Sequence, residues 1–184
     1  MREISEHILD ITQNSVVANA DEISIRVSVD TDKDQMTIVI ADNGKGMDET
    51  LLRSVLSPFT TSRTTRKVGL GLPMFRETAL SADGHFDIVS VPGKGTTVTA
   101  EMQVSHIDRP PLGALADTLH ILITSNPDLS FKATMAKDGQ EETLDTKEVK
   151  AILGDVPLNN PEVSAWIRES LIEMNNKVFG GEKI

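Results

Sequence analysis

The chain has 184 residues, of which 39% are hydrophobic and 25% charged, and this balance fits one globular domain, or a domain with a modest extension, rather than disorder. Its 28 acidic residues outnumber 18 basic ones, and the net charge of −10 argues against nucleic acid or anionic lipid as the main partner. The absence of cysteine excludes disulfides, thiolate metal sites and thiol nucleophiles, and no apolar run resembles a membrane span or a signal peptide. We therefore expect an acidic, cytoplasmic protein.

Hydrophobic periodicity predicts helices and strands in a regular order over the first part of the chain. Ile4, Ile8 and Ile11 recur at helical spacing, whereas the apolar residues over 23–29 alternate with polar ones, as in a half-buried strand. In chain order, the predicted elements are a helix over 1–20, strands over 23–29 and 36–41, a short helix over 48–56, a helix over 73–82, and strands over 85–91 and 96–103. This order predicts an α+β fold, a two-layer sandwich in which helices cover one face of a mixed sheet.

The sequence Asp108-Arg109-Pro110-Pro111 marks a break in this organisation. Beyond it we predict a helix near 113–124, a hairpin near 129–145, and helices near 146–153 and 161–178. Asn160 and Pro161 are a plausible cap and first residue for the last helix, in which Trp166 is interpreted as a core anchor. We accordingly divide the chain into residues 1–103 and a small α/β C-terminal extension, residues 104–184, of unknown role.

Pairs of glycines punctuate the first part of the chain, namely Gly44/Gly46, Gly69/Gly71 and Gly93/Gly95. Each pair alone is typical of turn chemistry. None belongs to a P-loop or to a G-x-G-x-x-G dinucleotide motif. If a nucleotide binds here, another arrangement must hold it.

Five short motifs occur in order over residues 4–103. They are Asp10-x-x-x-Asn14 on the first helix, Asp42-x-Gly44-x-Gly46-Met47 after a strand, Phe59-Thr60-Thr61, Gly69-Leu70-Gly71-Leu72 opening a helix, and Gly95-Thr96 opening a strand. Together they resemble the GHKL ATPase superfamily, whose members include DNA gyrase B, the heat-shock chaperone ATPases, histidine kinases and MutL. The resemblance implies a Bergerat-type ATP-binding fold, with ATP and Mg²⁺ as ligands.

The resemblance also assigns the residues around the adenine base. Asp42 would accept a hydrogen bond from the exocyclic amine of adenine, and Thr96 would make a second adenine contact. Gly44 and Gly46 would let the loop pass close to the ring, with Met47 as an apolar wall. Without the other motifs, Asp42 would be interpreted as an Asx-turn residue.

A second group of residues is implied at the phosphates. Asn14 resembles the family's Mg²⁺ ligand, which fits the preference of magnesium for hard oxygen atoms. The glycine motif at 69–72 would offer free backbone N–H groups at a helix N-terminus. The family's mobile lid corresponds to the segment between Phe59 and Gly69, whose motif residues and basic side chains are Phe59, Thr60, Thr61, Arg63, Arg66 and Lys67. A solvated loop is the alternative for each basic side chain.

Asp10 decides the mechanism, and three interpretations stay open. In the gyrase and MutL branches the residue four before the asparagine is a glutamate that acts as general base. Asp10 keeps the carboxylate but is one methylene shorter. It would be a base, a water-mediated neighbour of Mg²⁺, or polar lining of the site.

The layout differs from that of histidine kinases, which carry a helical hairpin with the phosphoacceptor histidine before this domain. Here the first helix starts almost at Met1, so we expect no such hairpin. His7, one turn before Asp10, is interpreted as a polar residue of the helix face rather than as a phosphoacceptor. The pattern resembles stand-alone family members, such as the serine kinases that act as anti-sigma factors.

We therefore expect a cytoplasmic Mg-ATP-binding protein that transfers the γ-phosphate to a partner protein, and a homodimer is compatible with this expectation. The first alternative is a self-contained ATPase that works as an ATP-gated switch. The second is a nucleotide-sensing module that does not break the phosphate bond. Neither nucleic acid nor a membrane is an expected partner.

Overall fold

The computed structural model describes residues 2–56, 70–180 and 184. Its elements, in chain order, are α1 (Ile4–Val17), β1 (Glu22–Asp30), β2 (Gln35–Asp42), α2 (Glu49–Leu56), α3 (Gly71–Ser81), β3 (His85–Val91), β4 (Gly95–Gln103), α4 (Leu115–Ser125), β5 (Ser130–Lys137), β6 (Gln140–Asp145), α5 (Thr146–Leu153) and α6 (Pro161–Phe179). Every predicted helix and strand is present, with bounds that differ by a few residues. None of the helices in these ranges has both the length and the apolar composition needed to cross a membrane.

The strands of the described residues form one six-stranded sheet in the order β3-β4-β2-β1-β5-β6. Neighbouring strands are antiparallel except β1 and β5, which run parallel with Ile23 opposite Phe131 and Val27 opposite Met135. The sheet is therefore mixed, as predicted. Through this parallel pair, the strands after residue 104 extend the sheet that the first 103 residues form. The division of the chain into two domains stays a prediction.

One face of the sheet is apolar and carries the helices. In β1 the residues Ile23, Ile25, Val27 and Val29 are buried, while those between them are half-buried on the opposite face. Helices α1, α3 and α6 contact the strands, and α4 packs against α1 and α6. Full burial of one such side chain contributes roughly 1.5–3 kcal/mol to stability. The predicted two-layer α+β sandwich is confirmed.

The last helix begins as the sequence predicts but buries a different face. Asn160 Oδ1 accepts hydrogen bonds from two backbone N–H groups of the first turn, and Pro161 is the first residue of α6. The prediction that Trp166 anchors the core is wrong, because its side chain is 52% exposed. The adjacent Ile167 is fully buried instead, and it continues the stripe that also contains Leu171. Successive helical residues point about 100° apart, so two neighbours can lie in different environments.

Candidate functional site

The carboxylate of Asp42 is held in a fixed orientation at the end of β2. The Ser15 hydroxyl donates a hydrogen bond to Oδ2 at 2.6 Å, and the backbone N–H of Gly44 donates to Oδ1 at 2.9 Å. Each carboxylate oxygen has a second lone pair, so both can still accept a hydrogen bond from a ligand. Asp42 is half-buried and can therefore present this acceptor to a bound molecule.

The loop after Asp42 turns sharply at Gly46. Its φ is +64°, and a Cβ atom at this position would lie 2.1 Å from the backbone oxygen of Val91. No other residue type fits this position without moving the turn that follows β3, because real Cβ atoms do not approach so closely. The loop is therefore packed tightly onto the β3–β4 turn at Gly46 and against Ala18 at Gly44, and the half-buried Met47 follows it directly.

Thr96 lies next to Asp42 across the β2–β4 ladder. Its Oγ1 is 2.8 Å from Ser90 Oγ, which also accepts a hydrogen bond from the backbone N–H of Met47 at 2.8 Å. The Ser90 hydroxyl group thus connects Met47 and Thr96, two residues that the sequence assigned to the adenine site. The structure brings Asp42, Met47 and Thr96 together.

Two residues of this network, Ser15 and Ser90, were not predicted as site residues. Ser15 carried a signal, because it is a polar residue at helical spacing from the apolar Ile4, Ile8 and Ile11, and in the structure it is 3% exposed. Ser90 faces Thr96 across the β3–β4 hairpin. The strand register around the Pro92–Gly95 turn could have revealed this pairing from the sequence. Buried hydroxyl groups need partners, and here the partners are Asp42 and Thr96.

The second group of predicted residues lies around the start of α3. Asp10 is half-buried on α1, and a Cβ atom at Gly71 would lie 1.8 Å from its Oδ2. Gly71 is the first residue of α3, so a carboxylate stands directly against a helix N-terminus, where the helix dipole favours negative charge. Leu72 is buried, whereas the side chain of Leu70 is 59% exposed.

Asn14 lies one turn beyond Asp10 on α1, and its side chain is exposed. Because Ser15 bonds to Asp42, the same turn of α1 connects the two groups of residues. The oxygen atoms available here, an amide from Asn14 and a carboxylate from Asp10, are hard donors of the kind that Mg²⁺ prefers. Among the described residues there is no cluster of three or more His, Cys, Asp or Glu side chains that could hold a metal ion. The exposed amide oxygen of Asn14 is of the type that could serve as one protein ligand of a magnesium ion, whose other ligands would then be phosphate oxygens and water.

His7 is buried rather than on a polar helix face, which corrects the prediction. Its side chain is 1% exposed and stacks on Phe75 with ring centroids 4.9 Å apart and an interplanar angle of 18°. Burial lowers the pKa of His7 from 6.5 to about 4, so the ring is neutral at neutral pH. Its position deep in the α1–α3 interface is incompatible with a role as phosphoacceptor in this conformation.

Part of the predicted site lies outside the described residues. The residues concerned are Phe59, Thr60, Thr61, Arg63, Arg66, Lys67 and Gly69. Their predicted roles in the lid and at the phosphates stay predictions.

Comparison with known proteins places the chain among nucleotide-dependent proteins. Residues 2–106, more than half of the chain, match the family described as histidine kinase-, DNA gyrase B-, and HSP90-like ATPase. The chain is 28% identical over 117 residues to the non-motile and phage-resistance protein of Caulobacter vibrioides, a match that covers 59% of this chain and 14% of that protein. It is 30% identical over 103 residues to the signal transduction histidine-protein kinase AtoS of Escherichia coli, covering 55% of this chain and 17% of the kinase.

The two curated relatives are thus much longer than the segment they share with this chain. A solved structure, the MutL ATPase domain of Aquifex aeolicus complexed with ADP, matches along the full chain with a TM-score of 0.51 and 13% identity, and 99% of that domain is covered. At this identity the match shows a common fold. The motifs, the mixed sheet and the family match agree, and the chain belongs to the histidine kinase-, DNA gyrase B- and HSP90-like ATPase family, the GHKL superfamily.

Proposed function

We propose that this protein binds Mg-ATP and transfers its γ-phosphate to a partner protein, as a kinase of cytoplasmic signalling. The observation that carries the proposal is the Asp42 carboxylate, which Ser15 and Gly44 hold next to Thr96. A fixed acceptor beside a hydroxyl group matches the edge of adenine, which presents an amine donor next to a ring-nitrogen acceptor. Guanine presents a carbonyl oxygen in place of the amine, and this oxygen would face the carboxylate without a proton between them.

The phosphates would lie at the other end of the site. The positive end of α3 begins at Gly71, and backbone N–H groups of the motif predicted over 69–72 would donate hydrogen bonds to phosphate oxygens there. Asn14 would hold Mg²⁺, which neutralises phosphate charge when bound. The lid residues Phe59, Thr60, Thr61, Arg63 and Lys67 would cover the phosphates.

Asp10 supplies the chemistry in this proposal. Its carboxylate stands one turn from Asn14 and against Gly71, between the proposed metal ligand and the proposed phosphate site. From there it would accept the proton that the acceptor group loses as it attacks the γ-phosphorus and ADP leaves. The name of the relative AtoS, a histidine-protein kinase, supports transfer to a protein.

A self-contained ATPase is the second candidate, since the same carboxylate could activate water. The fold shared with the MutL ATPase domain supports this candidate. The two functions differ in the group that accepts the γ-phosphate. This acceptor is a group on a partner protein in the first function and a water molecule in the second.

The test measures ATP affinity by calorimetry and phosphate release from Mg-ATP for the wild type, Asp42→Asn and Asp10→Ala. Loss of a hydrogen bond to a charged group costs about 1.5–3 kcal/mol, so Asp42→Asn should bind ATP roughly 10–150-fold more weakly. Asp10→Ala should keep its affinity. Unchanged affinity in Asp42→Asn would refute the assigned base site. Phosphate release by the wild type alone would favour the ATPase, whereas binding without release would favour a protein acceptor.

A further inference from the structure

We propose that His7 is a positioning residue, whose contacts with Thr78 and Phe75 set the place of α1 along α3 and thereby hold the Asp10 carboxylate over Gly71. The inference rests on the proposed role of Asp10. Neither the motifs nor the family match assigns a function to His7 or Thr78.

The contacts between α1 and α3 form an ordered series. His7 Nε2 lies 3.0 Å from Thr78 Oγ1, the His7 ring stacks on Phe75, and Asp10 meets Gly71 one turn further along α1. As the residue number of the contact rises along α1, it falls along α3, so the two helices pack antiparallel to each other. A shift of α1 along α3 that breaks the first contact must therefore also displace Asp10 from Gly71.

A histidine is an unexpected residue for packing alone. His7 is 1% exposed, and its Nδ1 atom has no hydrogen-bond partner among the described residues. An apolar side chain would fill the space without a buried, unpaired nitrogen. Histidine adds a hydrogen bond, and a hydrogen bond fixes the position of one helix along another. Contacts between apolar surfaces alone would still allow the helices to slide by small distances. Buried polar groups are known to specify helix register in this way, at some cost in stability.

The helix that His7 contacts is itself anchored to the sheet. Phe75 is fully buried and makes an edge-to-face contact with Phe86 of β3, with ring centroids 6.0 Å apart. The position of α3 is thus tied to the β3–β4 hairpin, which also carries Ser90 and Thr96. Through His7 the sheet therefore determines where Asp10 stands relative to the start of α3.

The test compares turnover of ATP, by hydrolysis or transfer, in Thr78→Val, His7→Phe and His7→Gln. A misplacement of about 1 Å costs up to a hundredfold in rate, so Thr78→Val and His7→Phe should lower kcat roughly 10–100-fold while ATP affinity stays within about threefold. His7→Gln should recover part of the rate, because the glutamine amide can reach the place of Nε2. Ser81→Ala is the matched control, since that hydroxyl group donates to the backbone oxygen of Glu77 within the same helix.

The decisive comparison repeats Thr78→Val in an Asp10→Asn background. If the Thr78 contact acts through Asp10, it should have no further effect there. An equal loss of rate in both backgrounds would show a general structural role and overturn the proposal.

A second readout needs no activity and separates this inference from the proposed function. Asp10→Asn should shift the amide resonance of Gly71 in the ¹H–¹⁵N spectrum of the otherwise wild-type protein. In Thr78→Val the same change should produce less than about half of that shift, because the carboxylate no longer stands over Gly71. An undiminished shift would refute the positioning role even if the protein never turned over ATP, whereas failure of the proposed function would appear as unchanged ATP affinity in Asp42→Asn.

Discussion

The Ser15 hydroxyl group lies 2.6 Å from Asp42 Oδ2, although the two residues are 27 positions apart and belong to a helix and a strand. This hydrogen bond crosses the interface between the helical layer and the sheet. It connects the turn of α1 that carries Asn14 to the acceptor proposed for adenine, so both ends of the site depend on one helix.

Replacement of Ser15 by alanine should weaken ATP binding about 2- to 12-fold, because a typical hydrogen bond contributes about 0.5–1.5 kcal/mol net and water can replace the lost donor. Calorimetric titration with ATP measures the change. Ser28→Ala is the matched control, since its hydroxyl group bonds to the backbone oxygen of Thr37 on the same sheet, away from Asp42. Equal affinities in both variants would contradict the role of Ser15.

Gly46→Ala should destabilise the fold by about 2–4 kcal/mol, because the alanine would combine a strained positive φ with a collision against Val91. Gly139→Ala separates the two causes. Its φ is also positive, at +86°, but a Cβ atom there would meet nothing within 4 Å. Urea unfolding should therefore show a loss of only about 1 kcal/mol for Gly139→Ala. Similar losses in both variants would mean that the Gly46 loop can move away from Val91.

The stability of the protein should fall on acidification partly because of His7. Its pKa is lowered from 6.5 to about 4 by burial, so between these values the unfolded chain binds more protons than the folded one. Stability is then fully present above pH 6.5 and is lost as the pH falls towards 4, by an amount on the order of 3 kcal/mol. Urea unfolding at pH 7.0, 5.5 and 4.5 measures this slope.

The non-titrating variant His7→Gln isolates the contribution of the histidine from that of the carboxylates. The difference in unfolding free energy between wild type and variant should shrink as the pH falls through this window. A difference that stays constant with pH would contradict the lowered pKa.

Trp166 and Ile167 are neighbours in α6 with opposite environments, 52% and 0% exposed. Trp166→Ala should change the unfolding free energy by less than about 1 kcal/mol, whereas Ile167→Ala should lose about 2–5 kcal/mol. Since Trp166 is the sole tryptophan, acrylamide quenching of the native protein reports its environment directly. Weak quenching, as for a buried indole, would contradict the exposed position.

The sequence predicted those features of the fold that local rules determine. Strand β1 alternates apolar and polar residues, and α6 starts at an asparagine cap followed by proline, so both were located correctly. The site motifs were found from short residue patterns, of which three contain glycine and four contain polar residues.

Other features depend on contacts between distant residues, and the sequence did not predict them. The parallel pairing of β1 with β5 brings together residues more than 100 positions apart, which no local pattern specifies. The burial of His7 depends on Phe75 and Thr78, two residues of another helix. The bond from Ser15 to Asp42 follows only from the way α1 lies on the sheet.

The parallel pair also determines which strand edges are open to solvent. β1 is an inner strand only because β5 lies beside it, and the outer edge on that side is β6, a short strand that contains Glu141 and Glu142. Acidic side chains at an edge oppose pairing with other molecules. A chain cut after residue 103 would instead expose one whole side of β1, nine residues rich in isoleucine and valine, as a template for intermolecular strand pairing. The motifs assigned to nucleotide binding lie in the first part of the chain, and β5 of the C-terminal part covers the strand edge of that first part that would otherwise be open.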